Sequence, residues 1–476
     1  MSAQRVSRRH LRRLATPIAL ALALMMSPGA RAGVQLIAVG SLDGHGGDKA
    51  VLTAAPLENG TPGDQLGGLG SGLVHLRCDQ FLAMPDRGPN ALHYNPAVSD
   101  TTSYIARFHT LDLHLRPTPH DRLKYALVPT LQATTLLWSP TPLVYGDGKA
   151  VGLRSGRPSL NRDGHDYFTG RSDNFSAAAD SIQPNAARLD AEGIRVSSDG
   201  KQLFISDEYG PTIREFDRAS GRQLRVLALP QLLAVPHPSP RTSQELHGND
   251  RGRVPNHGIE GLAISPDNRT LFAIMQGALI QDGGKHAGMT RLLRIDLQTG
   301  RVVQYAYPLD RVGHAGHASH AGASDLLAVN GHRLLVLERD STGLGAGSKA
   351  KIKRVYEVDL AGATPIGDRQ GEASLRPLAL HKRLLVDIAA ELAAAGEPRA
   401  DIPEKLEGLA FGPRTRIDGK LMATLYIASD NDFLPEIKDA LHPMGKTNPN
   451  RFLVFAFGSA DLPGYAPASA TSRCND

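Results

Sequence analysis

The chain has 476 residues, with 53 Lys and Arg against 48 Asp and Glu, and 41% of its residues are hydrophobic. Six arginines and no acidic residues fall within residues 1–32, so the remainder carries 47 basic residues against 48 acidic ones. This balance excludes a basic nucleic-acid-binding surface, and we expect no nucleic-acid partner. The 49 glycines and 32 prolines indicate a turn-rich protein.

Residues 1–32 are typical of a cleavable export signal. Arg8 and Arg9 belong to a basic start, Leu14–Met26 is a short apolar run, and residues 30–32 fit a small-x-small cleavage site. The apolar run is too short to span a bilayer, so we expect no stable membrane insertion. Residues 7–11 are close to a twin-arginine signal, and ordinary secretion is the alternative. Either route predicts a periplasmic or secreted protein.

Residues 189–230 contain one complete structural unit. Four short β-rich runs are joined by turns, and the runs are Ile194–Val196, Leu203–Ile205, Thr212–Phe216 and Leu224–Leu229. Four antiparallel strands in about 40 residues are typical of one blade of a β-propeller.

The start of this unit recurs along the chain. Glu192, Glu260 and Glu407 each precede a glycine and an apolar run, while Ser71 and Ser324 take the glutamate position in two weaker copies. Successive copies lie 121, 68, 64 and 83 residues apart. We therefore predict an all-β fold, a single β-propeller of six four-stranded blades, with five or seven blades left open. The gap of 121 residues holds either a further blade or a long insertion.

The predicted propeller domain spans residues 33–460, and a C-terminal tail spans residues 461–476. Val34–Leu42 and Phe452–Phe457 are strand candidates that close the ring by pairing with each other. Leu384–Ala395 is predicted to form one short inserted helix. Long polar loops are expected on the faces of the ring, at residues 141–185, 231–256, 311–322 and 361–380.

The chain has two cysteines, Cys78 and Cys474. Export permits a disulfide that would tie the tail to the first recognised blade, and two free thiols are the alternative.

Acidic residues recur where the blade geometry predicts one mouth of the channel. The second strand of a blade returns antiparallel to the first, so its end lies beside the start of the first strand. Eight carboxylates are therefore expected to ring this mouth: Glu192, Glu260, Glu407, Asp86, Asp207, Glu208, Glu338 and Asp430. Oxygen-only ligands favour a hard cation such as Ca²⁺. The alternative is that each acid caps strand or turn N–H groups.

Several segments carry a resemblance to a known family. The runs DRGPN (86–90), SDEYGP (206–211) and LLVLERD (334–340), with the flanking copies of the blade start, resemble the phytase-like esterase family of secreted bacterial propellers. The resemblance implies a propeller that hydrolyses a small-molecule ester or phosphoester with the help of bound Ca²⁺. In that setting Arg87 and Arg339 are candidates to clamp a phosphate, or else they pair with the neighbouring acids.

His257 lies just before Glu260 and is a candidate general base, with a loop hydrogen bond as the alternative role. Three function classes stay open: a Ca²⁺-assisted phosphoesterase or esterase, a gluconolactonase-like lactonase with a single metal, and a non-enzymatic propeller that binds a ligand or protein. Sequence favours the first and leaves the oligomeric state open.

Overall fold

The computed structural model describes Met1 and residues 33–118, 121–312 and 319–466. Within these ranges the chain forms five four-stranded antiparallel sheets whose innermost strands neighbour each other around a central channel. The predicted all-β propeller is therefore confirmed, with five blades in place of the six that the spacing of the copies suggested. The predicted signal segment lies outside the described residues, apart from Met1.

The first two blades follow an opening strand, β1 (Gln35–Leu42), which belongs to the fifth blade. The strands of the first blade are β2 (Gly72–Arg77), β3 (Gln80–Met84), β4 (Arg107–Pro117) and β5 (Tyr125–Leu136). A long connection carries the small hairpin of β6 (Trp138–Ser139) and β7 (Asp166–Tyr167). The strands of the second blade are β8 (Ala191–Val196), β9 (Gln202–Asp207), β10 (Thr212–Asp217) and β11 (Gln223–Leu227). The gap of 121 residues is thus an insertion after a blade with long outer strands.

The third and fourth blades follow the regular spacing. The strands of the third blade are β12 (Ile259–Ile264), β13 (Thr270–Met275), β14 (Met289–Asp296) and β15 (Val302–Pro308). The strands of the fourth blade are β16 (Gly322–Ala328), β17 (Arg333–Arg339), β18 (Lys353–Asp359) and β19 (Lys382–Asp387).

The fifth blade joins both ends of the described chain. It consists of β20 (Lys405–Ile417), β21 (Lys420–Asp430), then β24 (Asn450–Phe457), with β1 as its outermost strand. The loop before β24 carries the hairpin of β22 (Glu436–Ile437) and β23 (Lys446–Thr447). The predicted pairing of the first and last strands is confirmed, since Gln35 lies opposite Ala456 and Leu42 lies opposite Asn450.

Helices are short and lie in the connections. The α-helices are α1 (Thr242–His247), α2 (Glu372–Leu375) and α3 (Ile388–Ala394). Single 3₁₀ turns lie at Val51–Thr53, Pro96–Val98, Lys149–Val151, Gln231–Leu233, Ile280–Asp282, Gly284–His286 and Arg376–Leu378. No helix in the described part of the chain is long and apolar enough to cross a membrane.

The helix predicted at Leu384–Ala395 is only half correct. Residues up to Asp387 belong to β19, which completes the fourth blade and buries Val386 in the core between blades. The helix then begins at Ile388, where the Asp387 carboxylate accepts a hydrogen bond from the Ala390 N–H. An apolar run with helical spacing thus serves first as an edge strand, because the sheet needs a fourth strand.

The hydrophobic core lies between adjacent blades. Leu335 and Leu337 on β17 of the fourth blade pack in one cluster with Leu409, Leu425 and Ile427 of the fifth. Alternate residues of each strand face opposite neighbouring blades, so strands such as β9 and β13 are buried on both faces. Cys474 lies outside the described residues, and the Cys78–Cys474 disulfide stays a prediction.

The glycine after each repeated glutamate allows the innermost strands to approach closely. A Cβ on Gly193 would lie 2.8 Å from the Leu262 nitrogen, and a Cβ on Gly261 would lie 2.6 Å from the Asp325 Cα. These separations are too short for any side chain, so glycine is required where the strands converge. In the fourth blade the same position is Asp325.

Asp325 forms an ion pair across the centre of the ring. Its Oδ1 accepts a hydrogen bond from Nη2 of Arg195 on β8 at 2.8 Å, and both side chains are buried. The other oxygen of Asp325 accepts the N–H of Leu409 on β20 at 2.8 Å. Arg195 also donates to the carbonyl of Leu73 on β2 at 2.9 Å. This pair therefore links the innermost strands of four blades.

We expect Asp325→Ala to lower the free energy of unfolding by about 3–5 kcal/mol, because it leaves the Arg195 charge buried and unpaired. Denaturant unfolding followed by circular dichroism measures the change. Asp359→Ala is the matched control: Asp359 pairs with His332 and Arg333 at the surface, so its loss should cost less than about 1 kcal/mol. Equal effects of the two substitutions would contradict the central role of the pair.

Candidate metal centre

The repeated glutamates lie at β-bulges. The register of the innermost strand against the second strand shifts between Ala191 and Ile194, between Ile259 and Gly261, and between Leu406 and Gly408. A bulge leaves its extra residue outside the ladder and redirects that residue's side chain. The redirected residues are Glu192, Glu260 and Glu407.

Five buried carboxylates lie together beside the first three blades. Ligand oxygens of Asp86, Asp190 and Glu192 all lie within 4.8 Å of one another, and so do those of Glu192, Glu208 and Glu260. We call these five residues the acidic cluster. Four of its members, all except Asp190, are among the eight predicted metal ligands. Glu192 belongs to both groups and lies at their junction.

Strand alternation keeps two predicted ligands, Asp207 and Glu338, out of both groups. Asp207 accepts the N–H of Asp190 and of Tyr209, each at 3.1 Å, and the Thr212 hydroxyl at 2.9 Å. Asp207 pairs with Ala191 and Glu338 pairs with Ala323, so the two acids are equivalent across their blades. The residue that follows each of these acids in the sequence is Glu208 or Arg339. Its side chain points to the opposite face of the strand, toward the mouth.

Glu338 instead faces the outer part of the fourth blade. Its carboxylate accepts the Tyr307 hydroxyl at 2.5 Å and the Asp310 N–H at 2.9 Å, and it forms an ion pair with Lys382. With these three partners Glu338 stabilises the contact between its blade and the neighbouring connection.

The two remaining predicted ligands, Glu407 and Asp430, are paired with cations. Arg339 Nη2 donates to Glu407, and Lys405 Nζ lies 3.1 Å from Asp430 and also contacts Asp432. The predicted ring of eight is therefore divided. One side is neutralised by Arg339 and Lys405, and the other side holds the acidic cluster.

Burial and crowding raise the pKa of four members of the acidic cluster, Asp86, Glu192, Glu208 and Glu260. Burial raises the pKa of Glu192 well above its usual value, and the neighbouring charges of Glu260, Asp190 and Glu208 raise it further. Burial likewise raises the pKa of Glu208 to about 8, although Arg87 opposes the shift. The pKa values of Asp86 and Glu260 are raised for the same reason. A cation in their midst would remove this penalty.

The donor set of the acidic cluster fits a hard cation. Every side chain that meets in the two groups offers carboxylate oxygen, which Ca²⁺ and similar ions prefer. Glu260 accepts a hydrogen bond from Gln276 at 2.6 Å through Oε1, whereas its buried Oε2 has no hydrogen-bond partner within the described ranges. An orphaned buried carboxylate oxygen beside two further acids is the position expected of a cation ligand.

Sequence reasoning missed Asp190 and gave no role to Lys405. Asp190 lies two residues before Glu192 and accepts the N–H of Arg87 at 3.2 Å, besides an ion pair with the Arg87 side chain. The sequence signal that could have identified Asp190 is its position two residues before the repeated Glu192, in the run DAEG (190–193). The bulge at residues 191–194 brings both acids to the same mouth.

Two cavities lie near the acidic cluster: Asp190 and Glu208 line one of them, and Gln276, which donates a hydrogen bond to Glu260, lines the other. One, of about 80 Å³, is lined by His257, Gln276, Lys285 and Arg339. The other, of about 130 Å³, is lined by Arg87, Asp190, Glu208 and other residues on the side of the second blade. Residues 254–257 separate them, since Val254 and His257 face the first cavity whereas Pro255 and Asn256 face the second.

The three predicted catalytic residues lie at these cavities. Arg87 is paired with Asp190 and lies 3.6 Å from Glu208. It therefore lies beside the acidic cluster, where it pairs with neighbouring acids as one of its two predicted roles requires. Arg339 is paired with Glu407, and its Nε has no hydrogen-bond partner in the part of the chain that is described. Burial lowers the pKa of His257 to about 4, and its Nδ1 is likewise unpartnered among the described residues.

The fold and the site place this protein among β-propellers that carry a buried acidic cluster at one mouth of the channel. The model of the phytase-like family, described as esterase-like activity of phytase, matches residues 64–433. The chain therefore belongs to this family. The matched range includes every residue of the acidic cluster, and the predicted resemblance is confirmed.

A relative from Arthroderma benhamiae, described as an uncharacterized secreted protein, is 29% identical over 280 residues. The match covers 52% of this chain and 51% of the relative, so the chain spans about half the length of the relative that it matches.

Solved propellers also resemble the chain. Pseudomonas fluorescens PhoX in complex with vanadate is 10% identical with a TM-score of 0.38, over 91% of this chain and 97% of that one. The periplasmic gluconolactonase PpgL of Pseudomonas aeruginosa is 14% identical with a TM-score of 0.32, over 88% and 95% of the two chains. Likeness at this level carries no argument about the function of this chain.

We expect Glu192→Gln to raise the free energy of unfolding by about 1–3 kcal/mol at pH 8 in a chelating buffer, since it removes one of several crowded charges and one pKa unit corresponds to about 1.4 kcal/mol. Urea denaturation measures the change. Glu215→Gln is the matched control, because Glu215 is buried but pairs with the half-exposed Arg225 and should gain nothing. A loss of stability in Glu192→Gln would mean that this glutamate is a structural cap.

Proposed function

We propose that this chain is an exported hydrolase of esters or phosphoesters that works with a hard cation, Ca²⁺, bound by the acidic cluster. The observation that carries the proposal is the meeting of five buried carboxylates in two overlapping groups. Buried carboxylates this close repel one another unless a cation or protons neutralise them. Membership of a family named for esterase-like activity supports hydrolysis as the reaction.

The ligands in this proposal are Asp86, Asp190, Glu192, Glu208 and Glu260. Because Glu192 belongs to both groups, the arrangement offers positions for two neighbouring ions rather than one. This favours a phosphoesterase or esterase over the lactonase alternative, for which a single metal was expected. The cluster contains no Cys or His donor, so a hard ion suits it better than zinc.

A cation bound there would polarise the ester and lower the pKa of an attacking water. The chain's own residues bind and orient the substrate. Arg339 lines the cavity that His257 also lines, and its Nε has no hydrogen-bond partner among the described residues. A guanidinium binds the oxygens of phosphate and carboxylate groups. Arg87 lies on the opposite side of the cluster and neutralises Asp190 and Glu208.

His257 has a place in this proposal as a proton acceptor. Its low pKa keeps the imidazole neutral near pH 7, and Gln276 lies between it and Glu260 through contacts with both. A neutral ring with an unpartnered Nδ1 accepts a hydrogen bond from a water or hydroxyl in the cavity.

Export is part of the proposal. The basic and apolar segments within residues 1–32 are typical of a signal, and the Arthroderma relative is described as secreted. The propeller domain at residues 33–460 and the tail at 461–476 are proposed on the same basis.

Calcium titration calorimetry tests the cation. We expect the purified protein to bind Ca²⁺ and Glu192→Gln to bind it at least about tenfold more weakly, since affinity follows the number of ligand charges. The control Glu215→Gln removes the same charge from a buried site outside the cluster and should bind Ca²⁺ normally. If Glu192→Gln binds Ca²⁺ with unchanged affinity, the proposed metal centre is contradicted and the non-enzymatic propeller is favoured.

Turnover of chromogenic phosphoesters, carboxylic esters and lactones tests the reaction. We expect hydrolysis of an ester or phosphoester that requires added Ca²⁺ and falls at least about 100-fold in Glu260→Gln, because the orphaned Oε2 is lost as a ligand. Glu215→Gln should retain full activity. Activity toward lactones alone would favour the lactonase, and turnover that survives chelation would contradict the metal-assisted mechanism.

A further inference from the structure

The cavity beside the second blade contains an arginine that the proposed hydrolysis does not use. Arg188 lines this cavity together with Arg87, Asp190 and Glu208, so it faces the same space as members of the acidic cluster. Only 1% of Arg188 is exposed to solvent, and this isolates its charge from bulk water. A buried guanidinium is costly unless its N–H groups are met by acceptors.

The packing of Arg188 holds its plane in place. Its Cζ lies 4.2 Å from the ring centroid of Phe175 and 5.0 Å from that of Tyr209. Nη1 donates to the carbonyl of Ser172 at 3.2 Å. The guanidinium is therefore fixed by two aromatic rings and one hydrogen bond, as a binding group requires.

The other edge of the guanidinium meets no acceptor within the described part of the chain. Nε and Nη2 of Arg188 are buried, and neither has a hydrogen-bond partner among the residues that the structure describes. These two atoms share one edge of the planar group, which is the edge that binds phosphate or carboxylate through two parallel hydrogen bonds.

The neighbouring arginines differ because their partners are present. Arg253 donates to Glu245 at 2.6 Å and to the carbonyl of Tyr209 at 2.9 Å. Arg87 is committed to Asp190. Among the arginines that line this cavity, Arg188 is thus the one whose bidentate edge has no partner among the described residues, since the charge of Arg253 is paired with Glu245.

We propose that this cavity is an anion subsite, in which Nε and Nη2 of Arg188 bind a phosphate or carboxylate group of the substrate other than the one that reacts. The assignment of that group to a substrate rests on the proposed hydrolase function. The preferred substrates are then esters with a second anionic group, held by Arg188 while the reacting group lies at the acidic cluster.

Calorimetric titration with inorganic phosphate and, separately, with succinate tests the subsite in a chelating buffer, where no metal contributes to binding. We expect one of the two anions to bind the wild-type protein. Arg188→Met should weaken that binding at least about tenfold, the effect expected of a lost charge-assisted pair.

Arg214→Met is the matched control. Arg214 is also fully buried, lies 4.9 Å from the Phe168 ring and has an unpartnered Nε among the described atoms, but it does not line this cavity. Its loss should leave anion affinity within about twofold of wild type. Arg188→Lys retains the charge without the planar fork, so it should also bind at least about fivefold more weakly, and it serves if Arg188→Met does not fold.

The subsite would be overturned if neither anion binds the wild-type protein, or if the Arg188 variants bind the anion as tightly as the wild type. The hydrolase proposal fails separately: in that case no calcium-dependent turnover would be observed, while the anion would still bind in the chelating buffer. If phosphate alone binds, the second group is a phosphate, and if succinate alone binds, it is a carboxylate.

Discussion

The ion pair between Arg195 and Asp325 is the contact on which the ring depends. Five sheets that meet around a channel leave backbone groups of their innermost strands in a confined space without room for ordinary core side chains. Glycines solve this in four blades by allowing close approach, and the fourth blade places Asp325 there instead. Its carboxylate satisfies Arg195 and a backbone N–H of the fifth blade, so one buried pair links neighbours that share no sheet.

The same crowding creates the acidic cluster. In the second, third and fifth blades a glutamate lies at a bulge immediately before this glycine, and the bulges turn the three glutamates toward one mouth. One of them is neutralised within the protein, because Arg339 at the end of the second strand of the fourth blade reaches Glu407. At the equivalent position the second blade has the acid Glu208, whereas the third blade has Gln276. The asymmetry between blades, rather than their repetition, defines where a cation would bind.

Sequence reasoning found the blades because hydrophobic alternation and turns are local properties, and it found Glu192, Glu260 and Glu407 because they repeat. It could not assign Glu338 and Asp207 correctly to one strand face, since the bulge shifts the pairing by one residue and reverses which neighbour faces the mouth. The number of blades depended on whether residues 137–190 form a sheet, which local pattern leaves undecided. The contacts of Arg188 and of the central ion pair form between residues that are separated in the sequence, so no local sequence pattern identifies them.

The pairing of β1 with β24 has a consequence for how the protein is made. The fifth blade acquires its outer strand from the earliest described part of the chain and its neighbour from the last. During synthesis β1 therefore waits for more than 400 residues before its partner exists. Contacts of such high sequence separation form late and slowly. Until β24 has been made, β1 and β21 therefore lack their shared partner and leave unpaired strand edges of the kind that invite aggregation.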